Sequence, residues 1–190
     1  MRALFALAAL SVMAAPAPAQ DMGCPYNARM KPDTRPSPLD SLSFTAGGSV
    51  VKICYGRPSL KGRHMIGGEA VPFDTVWRTG ANESTKFITT APVMVGALEV
   101  PAGMYALYTV PGATEWAIII NRSYEQWGRE NNYTDEVRAQ EIGRTKVPVE
   151  ALDDAVETFT IRAEPQSDGS THLILEWEHS RVRVPVTAKT

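Results

Sequence analysis

VETFTIRAEPQSDGSTHLILEWEHSRVRVPV, residues 156–186, is the stretch that decides the fold. In its first arm Phe159 and Ile161 alternate with Thr158, Thr160 and Arg162. After Ser167-Asp168-Gly169, a turn signal, Leu173, Leu175 and Trp177 alternate with His172, Ile174 and Glu176. A period of two sends successive side chains to opposite faces of a pleated strand, so each arm has one face for a core and one for water. Val182, Val184 and Val186 continue the alternation against Arg181, Arg183 and Pro185. The proline has no N–H for a neighbouring strand and marks an edge or a strand end.

The same pattern extends toward the N-terminus. Met104 to Val110 alternates between turns at Pro101-Ala102-Gly103 and Pro111-Gly112, and Trp116 to Asn121 is apolar enough for burial on both faces over Ala117 to Ile120. Thr85 to Thr90, Val93 to Val95 and Leu98 to Val100 read as short strands, and Leu42 to Ala46 with Ser49 to Tyr55 reads as a hairpin around Gly47-Gly48. Asn121 to Asn132 is polar and reads as a surface excursion with a helical turn, Asp135 to Gly143 as a strand, and Ala151 to Asp154 as a turn after Val147 to Val149. Strands punctuated at intervals of roughly 8–12 residues predict an all-β, antiparallel two-sheet sandwich, with an open barrel as the alternative. The expected domain spans residues 42–187, with one long irregular loop and at most short helices.

Ahead of this domain lies a segment of another kind. Residues 1–19 carry Arg2, an apolar run from Ala3 to Ala15, and Ala17-Pro18-Ala19, the pattern of a signal peptide cleaved after Ala19. The run is shorter than the roughly 20 apolar residues of a membrane span. Cleavage leaves 171 residues with 18 basic and 21 acidic side chains, a net charge near −3. That balance argues against nucleic acid and anionic membrane as partners, and no later run is long enough for a transmembrane segment. The expected location is periplasmic or secreted. Residues 20–41 form a Pro-rich leader with too few apolar side chains to fold alone, so it is expected to be extended or partly mobile. Both cysteines, Cys24 and Cys54, lie in the exported part. An even count in an oxidising compartment favours a disulfide, worth about 3–4 kcal/mol in the chain-entropy account. Two free thiols, or a lipid anchor on Cys24, are the alternatives; Asp21-Met22-Gly23 is a poor lipoprotein signal.

The irregular loop is CYGRPSLKGRHMIGGEAVPFDTVWRTGANESTK, residues 54–86. It gathers Tyr55, Arg57, Lys61, Arg63, Trp77, Arg78, Asn82 and Glu83 among glycines and prolines that forbid a long helix or strand. Guanidinium groups beside aromatic faces suit carboxylates, phosphates or sugars, because arginine donates in a planar fork and the ring offers a stacking surface. The competing structural reading pairs Arg57 and Arg78 with Glu69, Asp74 or Glu83, and puts Trp77 in the core. Glu83 beside Asn82 is the one candidate general base, but glycoside hydrolysis ordinarily needs two carboxylates. His64, His172 and His179 are too dispersed for a metal motif, and no phosphate loop or nucleophile signature is present, so no metal or cofactor is expected.

YGRPSLKGR at 55–63, VWRTGANESTKF at 76–87, VPAGMYALYTVPG at 100–112 and the Trp127-Gly128 pair resemble a secreted bacterial family of unknown function, over nearly all of Leu42 to Val186. The resemblance implies an exported, β-rich single domain and brings no catalytic residue. The reading that follows is a non-catalytic binding module for a small anionic, glycan-like or peptide ligand in the cell envelope. An envelope-polymer hydrolase using Glu83, and a structural protein associating through a sheet edge, are the alternatives.

Overall fold

The computed structural model describes residues 22–127 and 130–189, so the signal-peptide segment lies outside the described residues. The strands are β1 (Leu39–Ala46), β2 (Ser49–Gly56), β3 (Thr85–Thr89), β4 (Val93–Val95), β5 (Leu98–Val100), β6 (Gly103–Val110), β7 (Glu115–Asn121), β8 (Glu141–Pro165) and β9 (Thr171–Ala188), with a short helix α1 (Asp135–Arg138). They form one antiparallel sheet in the order β1-β2-β3-β6-β7-β8-β9-β4-β5, and it does not close into a barrel. The all-β antiparallel expectation holds, with a refinement: both layers belong to a single sheet.

The length of β8 explains how. Its 25 residues would span about 80 Å if flat, far more than one layer can accommodate. Its first part pairs with β7, from Asn121↔Glu141 to Glu115↔Pro148, and the remainder pairs with β9, from Val149↔Val182 to Pro165↔Thr171. The register shifts twice, between Ala151 and Val156 and between Val156 and Thr160, opposite Glu178 at φ 50°. Extra residues on one strand bend it without ending it. The turn expected at Ala151 to Asp154 is therefore a bulged part of a continuous strand. Pro185 lies beyond the last β8 partner, where β9 is paired by β4.

The inward faces meet in one core. Val51, Ile53 and Tyr55 of β2, Phe87, Leu107, Trp116 and Ile118 pack with Phe159, Ile161, Leu173, Leu175, Trp177 and Val184 from the other layer. On the outer face Ala106, Tyr108 and Ile119 are covered by Tyr124 and Tyr133, so within the Ala117 to Ile120 run expected to be buried on both sides Ile118 to Ile120 are enclosed, while Ala117 is half-buried. The β1–β2 turn uses Gly47 and Gly48 at φ 53° and 87°, the left-handed pair a tight hairpin requires. The strand expected over Asp135 to Gly143 is instead α1 followed by the start of β8. Thr134 caps that helix by accepting Val137 N–H, Asp135 and Glu136 occupy its first turn, and buried Val137 receives Asn121 Nδ2 on its carbonyl at 2.8 Å.

Outward-facing charges of β8 and β9 close a ring. Arg162 pairs with Glu176 at 3.1 Å, Glu176 with Arg181, Arg181 with Glu150 at 3.7 Å, Glu150 with Arg183 at 2.7 Å, Arg183 with Glu164 at 2.6 Å, and Glu164 with Arg162. A closed network holds more than isolated surface pairs do. Burial opposes ionisation of Glu176, yet hydrogen bonds from Arg162 and Arg181 hold its carboxyl below the ordinary 4.5. A depressed carboxyl contributes stability above its unfolded pKa and loses it as pH falls through the folded one. Thermal melts should thus be insensitive to this group above about pH 4.5 and fall below it, and Glu176→Gln should flatten that acid limb. An unchanged limb in the variant would remove the ring from the acid response.

Candidate functional site

Between β2 and β3 the chain crosses one end of the two layers and is pinned to both. Leu60 N–H donates to Glu157 O at 2.9 Å and Phe159 N–H to Pro58 O at 2.9 Å, while Trp77 and Thr109 exchange backbone bonds of 2.7 and 2.9 Å. Leu60, Met65, Ile66, Val71 and Trp77 join the main core. Trp77 lies nearly parallel to Trp177, with centroids 5.6 Å apart and planes at 15°, and meets Phe159 and Trp116 edge-on at 5.0 and 6.2 Å. Its Nε1–H donates to Gly80 O at 3.1 Å. The structural reading of Trp77 as core is correct, and the same indole also reaches a cavity.

The residues after Trp77 run along Gly56. A Cβ on Gly56 would lie 2.4 Å from Ala81 O, and one on Gly80, at φ 153°, 2.9 Å from Gly56 O, so only glycines permit this approach. Thr79 and Asn82 adopt φ 57° and 70°. For β-branched Thr79 that is a rare conformation, held in place because its buried Oγ1 bonds Thr109 Oγ1 at 3.1 Å and its carbonyl accepts Thr85 Oγ1 at 2.5 Å.

This turn forms one wall of a cavity of about 650 Å³. Its lining combines Arg78 and Asn82 of this turn, Arg63, His64 and Glu69 of the preceding segment, and the Trp77 and Trp177 indoles. The second wall is fixed by Glu178, whose carboxylate accepts Met65 N–H at 3.0 Å and Ile66 N–H at 2.5 Å and lies 3.2 Å from His64 Nδ1. Arg63 is oriented by bonds from Nε to Leu60 O and from Nη2 to Ser59 O, of 2.9 and 2.8 Å. Ser37 of the leader completes the lining and accepts Asn82 Nδ2 at 3.3 Å. Among the described residues no three His, Cys, Asp or Glu side chains converge as metal ligands would.

Of the eight residues singled out in the sequence, Arg63, Trp77, Arg78 and Asn82 meet at this cavity, and the other four are elsewhere. Tyr55 is in the core, edge-on to Phe159 at 5.7 Å, with its hydroxyl accepting Ile161 N–H at 3.0 Å, and burial pushes its pKa up to about 12. Arg57 spans Asp40 at 3.3 Å, Phe159 O at 3.3 Å and Thr160 Oγ1 at 3.0 Å. Lys61 is exposed, its backbone N–H bonded to the Glu157 carboxylate at 2.9 Å. Glu83 turns away from Asn82 and is buried against the leader, where Arg35 Nη1 reaches both its oxygens at 2.8 and 2.7 Å and Asn27 N–H donates at 3.2 Å.

Arg35 was invisible to pattern reading, because one arginine in a Pro-rich leader has no spacing to mark it. Its side chain is fully enclosed, donating to Met30 O and Asn27 O, with Tyr26 and Trp127 rings at 5.8 and 5.7 Å. Cys24 and Cys54 form the disulfide, fastening the leader to β2. The described part of the leader is packed, with a 3-10 turn at Pro32–Thr34, where an extended or partly mobile segment was expected. Beneath it, burial pushes the Lys86 amine down to about 8 against the opposing pull of Glu83 and Glu125, and Nζ spends its hydrogen bonds on Ser84 O, Ser84 Oγ and Tyr124 O.

The sequence model of a family described as a protein of unknown function (DUF2911) matches residues 37–186. The chain belongs to the DUF2911 family. No curated protein and no solved structure matches it. The DUF2911 match takes in every strand's core residues and both cavity walls, and it begins at Ser37, after the leader residues Cys24 and Arg35. No helix among the described residues of this DUF2911 chain is long and apolar enough to cross a membrane.

Proposed function

We propose that the chain is an exported, non-catalytic binding module of the cell envelope whose cavity takes a small anionic or glycan-like ligand. The observation that carries this reading is the convergence of Arg63, Arg78 and Asn82 beside two indoles on one open cavity of about 650 Å³. That volume suits a ligand the size of a monosaccharide or small acid. The guanidinium groups favour a carboxylate or phosphate, and Asn82 and Glu69 offer partners for hydroxyls. The left-handed backbone at Thr79 and Asn82 is costly unless something over-determines it, and such conformations concentrate at ligand sites. Export is supported by the Cys24–Cys54 disulfide together with the signal-peptide pattern of residues 1–19. The binding reading is favoured over hydrolysis because Glu83 is committed to Arg35 and does not line the cavity.

Amide spectra recorded while D-glucuronate or inorganic phosphate is added test the proposal. Shifts are expected in residues 63–71 and 78–82, and Arg78→Lys should weaken the interaction about tenfold or more, since an ammonium cannot reproduce planar two-point donation. Titrations in which neither probe moves those amides, or in which Arg78→Lys binds as the parent does, would reject it.

A further inference from the structure

We infer that the leader, residues 24–38, is a latched wall of this cavity, with Arg35 as its positioning residue and the Cys24–Cys54 disulfide as the latch; the inference rests on the cavity being the binding site proposed above. The leader grips two consecutive residues of the 78–83 turn from behind. Ser37 O takes Asn82 Nδ2 at 3.3 Å, and Arg35 holds both oxygens of Glu83. Asn82 therefore faces the cavity with its own side chain tied to the leader and its neighbour clamped by it.

The clamp depends on the leader staying down. Residues 26–30 curl around Arg35, supplying the Tyr26 ring and the Asn27 and Met30 carbonyls, and Asn27 N–H adds a bond to Glu83. The leader contributes no strand before Leu39 and almost no apolar surface to the core. Without the link from Cys24 to β2, the curl is retained by the Arg35–Glu83 pair, whose attraction must offset the desolvation of both charges. The downstream end is fixed independently, because Arg57 N–H bonds Pro38 O at 2.8 Å, so release of the curl shifts Ser37 and the turn while the sheet remains paired.

A dithiol operates the latch. One thiolate attacks a cystine sulfur to give a mixed disulfide, the second closes the reagent into its own disulfide, and the two electrons and two protons given up by the reagent reduce the Cys24–Cys54 disulfide to two thiols. The test measures D-glucuronate affinity on the full chain before and after dithiothreitol, with near-UV circular dichroism of the stacked indoles reporting the fold. Reduction is expected to weaken glucuronate at least about fivefold, the lower end of ordinary coupling between sites, with the indole signal kept. Arg35→Gln in the oxidised chain should do the same, whereas Val184→Ala, a destabilising change in the opposite layer, should lower Tm and leave affinity alone. Equal affinity in both redox states of the folded chain overturns the latch. Should reduction unfold the chain, unchanged affinity in oxidised Arg35→Gln overturns it instead. An oxidised chain that binds no glucuronate or phosphate overturns the binding proposal itself.

Discussion

A Glu83→Gln chain should be less stable than its parent by about 3–5 kcal/mol, the usual result of removing one partner from a buried ion pair. The Arg35 guanidinium is wholly enclosed and Glu83 nearly so, and both carboxylate oxygens are within 2.8 Å of Arg35 Nη1. Glutamine keeps one acceptor but no charge, leaving the guanidinium with two ring faces, two carbonyls and no counter-ion. Urea denaturation would register the loss as a lower midpoint with the slope unchanged. Arg35→Met combined with Glu83→Met should recover most of it, because neither charge is then desolvated. A loss under about 1 kcal/mol would mean that water screens the pair after all. Glu83→Gln is also the change one would make to disable a hydrolase. Here its effect should appear in melting, with no substrate present.

Trp77→Ala is expected to cost a similar amount, about 3–5 kcal/mol, for a different reason. The indole is in contact with Trp177, Phe159 and Trp116 from three strands and gives its N–H to Gly80 O. Alanine leaves a hole that the flanking β8 and β9 backbone, fixed by the sheet, cannot close, and it orphans a carbonyl in the cavity wall. For a chain of this size the melting temperature should fall by roughly 10 °C or more. Trp77→Phe, which keeps part of the ring contact and loses the N–H, should fall between the two. A Trp77→Ala chain that melts within a few degrees of the parent would show the tryptophan cluster to be dispensable to the fold.

Strand assignments were legible wherever core residues alternate with more polar neighbours. Val51, Ile53 and Tyr55 alternate with half-buried Val50 and Lys52, and Leu173, Leu175 and Trp177 with half-buried His172 and the ion-paired Glu176, although Ile174 and Glu176 are themselves covered. The cysteine pairing followed from the even count and from the compartment that the pattern of residues 1–19 led one to expect. The continuity of β8 was hidden, because Ala151 to Asp154 has the composition of a turn and only pairing with β9 shows it to be a bulge. Helix α1 carried a readable signal in Thr134-Asp135-Glu136, an N-cap followed by acids, that the alternation of Val137, Ala139 and Glu141 obscured.

At the site, composition identified the right segment but not the direction of each side chain. Tyr55 points inward by the same period of two that defines β2. Asn82 and Glu83 are adjacent, yet one borders the cavity and the other meets the leader, a distinction set by the left-handed backbone at Asn82. His64 and Glu69 reach the cavity because Glu178, more than a hundred residues away, gathers the backbone of Met65 and Ile66. No local pattern encodes a contact of that separation.

The passage of β8 from one layer to the other limits how this molecule can breathe. Two independent sheets can slide or part across a greasy interface, but here a shared ladder of backbone bonds acts as a spine, and opening along it would tear peptide hydrogen bonds in succession. A ligand of the proposed kind would therefore enter at the open rim, between the 63–71 segment moored on Glu178 and the 78–82 turn, while the body behind it stays shut.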